Sequence, residues 1–181
     1  MRVRPLPLAI PAAALALALS AGACDAPAVL SPAEQASLKK DASPDASQDE
    51  LLKAVRRATS RFNSTTQAIR AGYQPDTHCV AAPGLGGMGY HWVDPLRVDP
   101  TFDPLQPEAL LYAHGPGGNL RLVAVEYIVI DVGQDHPSFG GKLFDVGGTP
   151  VPAPHWSLHV WLHEDNPNGL FTPFNPNVSC P

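Results

Sequence analysis

Charge is scarce in this chain of 181 residues: 16% are Asp, Glu, Lys or Arg, and the formal net charge is −5. Adjacent basic residues occur only at Lys39-Lys40 and Arg56-Arg57. With no basic stripe to displace counterions from a phosphate backbone, nucleic acid is excluded as a partner. Long apolar runs are missing too. Leu8 to Leu19 falls short of the roughly 18 to 20 residues that span a bilayer. Several catalytic signatures are also absent: there is no G-x-S-x-G elbow, no P-loop and no C-x-x-C-H. His163-Glu164 lacks the second histidine of H-E-x-x-H, which excludes a zincin. Gly84-Leu85-Gly86-Gly87-Met88-Gly89 spells G-x-G-x-x-G, but Ala81-Ala82-Pro83 precedes it and the β-type Tyr90-His91-Trp92-Val93 follows. A dinucleotide site needs a strand before and a helix after, so this is a tightly turning loop.

Cysteine is nearly absent, and three is an odd number for an exported chain. The N-terminus accounts for one of them. Arg2 and Arg4 form a basic leader, Leu8 to Leu19 an apolar core, and Ser20-Ala21-Gly22-Ala23 supplies small residues before Cys24. Ala-Gly-Ala-Cys resembles a bacterial lipobox, with Ala21 where Leu is commoner. The expectation is a signal peptide over 1–23, lipidation at Cys24, and a chain exported and anchored on the periplasmic or extracellular face of a bacterial membrane. Cys79 and Cys180 then remain as a pair for a disulfide in an oxidising compartment. Closing a loop of about 100 residues is worth roughly 4 to 5 kcal/mol in the chain-entropy treatment. The alternative is a Cys79 thiol nucleophile beside His78.

Glycine and proline, at 15 and 21 residues, predict short strands and many turns. Residues 24–46, rich in Ala, Ser, Pro and Asp, read as a flexible tether with a marginal helix from Ser31 to Lys40. A single globular domain follows over 47–181. Ser47-Gln48-Asp49-Glu50 has the form of a capping box. Leu51, Val55, Ala58, Phe62 and Ile69 then form an apolar stripe that ends at Gly72, predicting an amphipathic helix of about six turns. Asp94-Pro95, Asp99-Pro100 and Asp103-Pro104 predict turns rather than a calcium loop, because EF-hand spacing is missing.

The longest apolar run of the domain is Leu120 to Ile130, LRLVAVEYIVI, which predicts a central strand. Alternation puts Leu122, Ala124, Glu126, Ile128 and Ile130 on one face and Val123, Val125, Tyr127 and Val129 on the other. Tyr90 to Val93, Glu108 to Ala113, Lys142 to Val146 and Trp156 to Leu162 predict further strands. A helix followed by strands implies an α+β fold: one long N-terminal helix packed on a curved antiparallel sheet, with a small β-barrel and outer helix as the alternative.

Glu126 is a carboxylate among apolar neighbours, and a buried charge has to be paired, coordinated or protonated. His91 and His159 sit near the middle of two other predicted strands. If the three converge, two imidazoles and a carboxylate suit Zn, Fe, Mn or Cu. The same trio also suits metal-free acid–base chemistry, or simple mutual satisfaction in a core. His159 and His163 cannot share an ion on a strand, where they stand about 13 Å apart. Tyr90, Trp92 and Trp161 are candidates for the lining of a ligand pocket.

GMGYHWVDP, PEALLY, LRLVAVEYIV and LHVWL with DNPNGLFTPFNPNVSC, across the last hundred or so residues, resemble a family of uncharacterised exported bacterial proteins. The resemblance carries no activity, and implies only that His91, Glu126, His159 and the tail belong to one domain. The expected function is a lipid-anchored protein binding a metal ion or small ligand at that trio. A metal-dependent hydrolase or oxygenase at the same residues, and a structural or interaction lipoprotein, are the alternatives.

Overall fold

The computed structural model describes residues 48–148 and 151–181. The predicted signal peptide, the Cys24 lipidation site, the tether with its marginal helix, and Ser47 lie outside the described residues.

The chain departs first from the expected long helix. Helix α1 spans Gln48–Thr59, a 3-10 turn spans Ser60–Asn63, and a six-residue helix α2 spans Thr65–Arg70. Local polar side chains make the break. Thr59 Oγ1 donates back to the Val55 carbonyl (2.8 Å), Ser60 Oγ to that of Arg57 (3.1 Å), and Asn63 Nδ2 to that of Ser60 (3.0 Å). Such bonds compete with the helical ladder, and Ser64 leaves it altogether in an extended conformation (φ −88°, ψ 109°). The apolar stripe therefore holds only as far as Phe62. Ile69 is 52% exposed and Ala68 is buried in its place. Past α2 the chain turns as a Schellman motif: Gly72 N donates to the Ile69 carbonyl and Tyr73 N to that of Ala68. Gly72 has φ 109°, and a Cβ there would meet the Asp94 carboxylate.

The rest is mostly sheet. Strands β1 (Cys79–Ala82), β2 (Gly86–Val93), β3 (Ala109–His114), β4 (Leu120–Ile130), β7 (Asp145–Val146) and β8 (His155–Val160) form one six-stranded antiparallel sheet in the order β1-β2-β3-β4-β8-β7. Strands β5 (Ser138–Phe139) and β6 (Lys142–Leu143) pair separately. The large sheet is curled into a half-barrel. The α+β expectation with one long helix is thus corrected: the structure is a curled sheet with a short, broken helical segment. Among the described residues the sheet does not close into a barrel either, since β1 and β7 stay as separate edges.

Strand β4 is central, as its Val and Ile content predicts, but its alternation is interrupted. Leu111 pairs with Ala124 and Tyr112 with Leu122, leaving Val123 as a bulge. Leu122 consequently joins Tyr90, Trp92, Leu110, Tyr112, Val125 and Tyr127 in the core that receives Val55 and Phe62 from the helical segment. The Tyr112 hydroxyl donates to the Phe62 carbonyl (2.6 Å) and ties the 3-10 turn to the sheet. The opposite face carries a second buried cluster of Ala109, Leu111, Ala113, Val123, Ala124, Ile128, Trp161 and Val178. Between the strands, Asp94, Asp99 and Asp103 each accept with Oδ1 from the amide two residues on, closing their own turns. Cys79 and Cys180 form a disulfide. Among the described residues, no helix is long and apolar enough to cross a membrane.

Candidate metal centre

His91 on β2, Glu126 on β4 and His159 on β8 all belong to the second face. Glu126 stands directly opposite His159 across one ladder and opposite Ala109 across the other. His91 stands opposite Leu111 on β3. Neighbouring strands lie about 4.8 Å apart, so β2 and β8, three places apart, would be separated by roughly 14 Å in a flat sheet. The His91 and His159 rings are 5.8 Å apart, centroid to centroid, at 86°. The sheet therefore curls around this face, where the fully buried Ala109 stands between Val93 of β2 and Glu126 of β4 and keeps the side chain beside Glu126 small.

The polar atoms converge without bonding. His91 Nε2 is 3.6 Å from Glu126 Oε2, and His159 Nε2 is 3.9 Å from Glu126 Oε1. Both distances exceed a hydrogen bond. His91 Nε2, His159 Nε2 and both Glu126 oxygens are buried with no hydrogen-bond partner among the described residues. A backbone bond to Gly89 engages the His91 ring. With Nε2 unpartnered, that bond falls to Nδ1–H, leaving the Nε2 lone pair directed at the carboxylate. With Glu126 ionised, a carboxylate would face the imidazoles with no donor between them, an arrangement that calls for a cation there, or in its absence for a proton on Glu126. One ligand atom from each residue lies within 4.8 Å of the others. Ligand atoms of a tetrahedral ion with bonds of about 2.0 to 2.2 Å stand roughly 3.3 to 3.6 Å apart, so the two His–Glu distances are close to what an ion needs, and closing the whole set takes a contraction of up to about 1.5 Å.

The electrostatics agree. Burial raises the Glu126 pKa well above 4.5, and nearby Glu108 raises it further. Burial lowers His91 to about 4, and burial followed by the neighbouring His91 ring lowers His159 to about 3. Burial therefore favours the neutral form of all three groups in the metal-free protein, whereas a divalent ion would favour the Glu126 carboxylate. Comparison with known proteins finds no match among family models, curated proteins or solved structures. The reading rests on geometry and chemistry alone.

The aromatic residues expected to line a pocket do not converge. Tyr90 and Trp92 flank His91 in sequence and so face the helical side, where Trp92 packs 4.6 Å from the Tyr112 ring. Trp161 lies on the metal face, but its Nε1–H donates to the Thr172 carbonyl (2.6 Å) in the tail. Other histidines meet partners outside the trio: His163 with the Thr59 hydroxyl (3.1 Å), His114 with the Tyr90 hydroxyl (3.1 Å), His136 with the Phe144 carbonyl (2.9 Å), and His155 with that of Ala153 (2.6 Å). The chain turns after Val160, which carries His163 away from His159. Cys79 is disulfide-bonded and is not a thiol nucleophile.

Sequence reasoning passed over Glu108. Only 2% exposed, it accepts from Ile128 N (3.0 Å), and burial pushes its pKa up to about 8. Its place at the start of β3, after Pro107, is where a carboxylate is ordinarily solvated. Pairing of β3 with β4 is what buries it.

Proposed function

We propose that this protein binds a divalent transition metal ion through His91 Nε2, His159 Nε2 and the Glu126 carboxylate, in an exported and lipid-anchored chain. The observation that carries the reading is the convergence of two imidazole Nε2 atoms and both Glu126 oxygens, all buried and none with a hydrogen-bond partner among the described residues. A metal ion fits better than an organic ligand, because the aromatic side chains beside His91 point to the other face. Two imidazoles and one carboxylate are the donor set of Zn, Fe(II), Mn and Cu sites. The Cys79–Cys180 disulfide supports an oxidising compartment, and the leader with Cys24 supports export. Three protein ligands leave a position for water, as in catalytic sites. That makes a metal-dependent hydrolase or oxygenase the second reading.

The test is elemental analysis of the full chain, purified without a polyhistidine tag and reloaded with Zn, Cu, Mn or Fe(II), beside Glu126→Gln and His159→Ala. One ion per chain in the parent, lost in both variants with circular dichroism unchanged, is the expected result. A metal-free parent after every reloading sinks the proposal.

A further inference from the structure

After Val160 the chain leaves β8, crosses the hollow of the curled sheet, and returns at Cys180 to β1 on the far side. Its points of attachment can be followed one by one. The amides of His163 and Glu164 both donate to the carbonyl of the bulged Val123 (3.1 and 3.0 Å). Asn175 exchanges both backbone hydrogen bonds with Gly87 of β2 (3.1 and 3.0 Å). The approach there is so close that a Cβ on Gly86, at φ 96°, would run into the Asn175 carbonyl. Fully buried, Asn175 also anchors its side chain on the Asp165 carbonyl (3.0 Å). Val178, 2% exposed, then packs with Ala109, Leu111, Ala124 and Ile128, the apolar residues around the ligands. Two residues later comes the disulfide. Cys79 stands opposite Tyr90, the residue adjoining His91.

Segment 161–180 is therefore a strap over the face that bears the ligands, fastened covalently at one end beside a ligand strand. We infer that Cys79–Cys180 is a redox latch on metal exchange at the centre; this rests on the metal-binding reading above. While the bond is closed, the strap stays seated and a bound ion is trapped. A dithiol reductant converts the bond to two thiols and is itself oxidised to its cyclic disulfide. The last residues are then held without a covalent tie, by the Asn175–Gly87 backbone pair, the Asn175 and Asn177 side chains on the Asp165 carbonyl, and the Val178 side chain. Local opening of a terminal segment takes less free energy than global unfolding, and it uncovers the route to His91 and Glu126.

The probe is Co(II), whose ligand-field absorption reports coordination. The full chain is loaded in its oxidised form and challenged with excess EDTA, with and without prior reduction by dithiothreitol. Cys79→Ser/Cys180→Ser and Val178→Ala, the latter with both cysteines intact, are run alongside. Reduction and the double variant are each expected to speed release about tenfold or more without changing the initial stoichiometry, since local opening then limits the rate. Val178→Ala shifts the rate in the same direction by unseating the strap. If reduction collapses the fold, seen as loss of near-UV circular dichroism, Val178→Ala decides alone. Equal release rates in all forms would overturn the latch and leave the metal centre standing. No Co(II) binding in either oxidised or reduced chain removes the centre itself, and the latch with it.

Discussion

Glu126 is held in the interior with no hydrogen-bond partner among the described residues, which sets what its substitution does. In Glu126→Gln the amide stands in for the neutral carboxyl and cannot ionise in the unfolded chain, so the metal-free fold gains stability near neutral pH while metal binding is abolished. A gain of about 1 kcal/mol or more is expected at pH 7, since each pH unit of avoided proton uptake is worth about 1.4 kcal/mol. Chemical denaturation of the metal-free pair checks it; a variant less stable by several kcal/mol would mean that the carboxylate is already satisfied. Ala109 offers the complementary test. Ala109→Leu replaces no ligand, yet adds three carbons on the strand position directly opposite Glu126. It is expected to lower metal affinity by at least an order of magnitude and to cost about 1 to 3 kcal/mol by overpacking. Isothermal titration with Zn(II) reads the first effect and thermal unfolding the second.

At the scale of elements, the clearest signals were the strands. β4 was legible from an unbroken Val- and Ile-rich run, and the place of Glu126 within it from alternation. Convergence with His91 and His159 was only a conditional, because nothing local encodes the curl that brings β2 over β8. The bulge at Val123 is a pairing event with β3, which is why Leu122 was assigned to the wrong face. The helix failed for a reason visible in hindsight. Thr59, Ser60, Asn63 and Ser64 cluster where the apolar stripe skips from Phe62 to Ile69, and side chains that bond backward outweighed periodicity. Tyr90 and Trp92 could have been dismissed as pocket residues by the same alternation that selected His91. One terminator was read correctly: Gly72→Ala should cost about 1 kcal/mol or more, from its positive φ and the clash with Asp94. A midpoint in urea unchanged from the parent would show that the turn tolerates a side chain.

For the molecule as a whole, the buried titratable groups make stability depend on pH in a way that reports the metal. Glu108, raised from 4.5 to about 8, stabilises the fold fully below pH 4.5, and that contribution is lost as pH rises towards 8. Glu126, also raised by burial, behaves in the same sense. His91, His159 and His163, lowered from 6.5 to about 4, 3 and 4, contribute above pH 6.5 and lose that contribution as pH falls. Between 4.5 and 6.5 the unfolded chain carries three histidine protons and the folded chain two glutamate protons, so two of the three histidine effects are offset and stability rises only gently with pH. Between 6.5 and 8 the unfolded histidines are neutral, while Glu108 and Glu126 still hold protons in the fold. Stability of the metal-free protein is therefore expected to fall there, by about 1.4 kcal/mol per pH unit for each group. Bound metal keeps Glu126 ionised in the fold and removes its share of the decline, as does Glu126→Gln. Thermal midpoints across this range should slope downward steeply for the metal-free parent, and about half as steeply for the loaded parent and the variant. A metal-free midpoint that stays level above pH 6.5 would mean that Glu126 and Glu108 already share the interior as carboxylates.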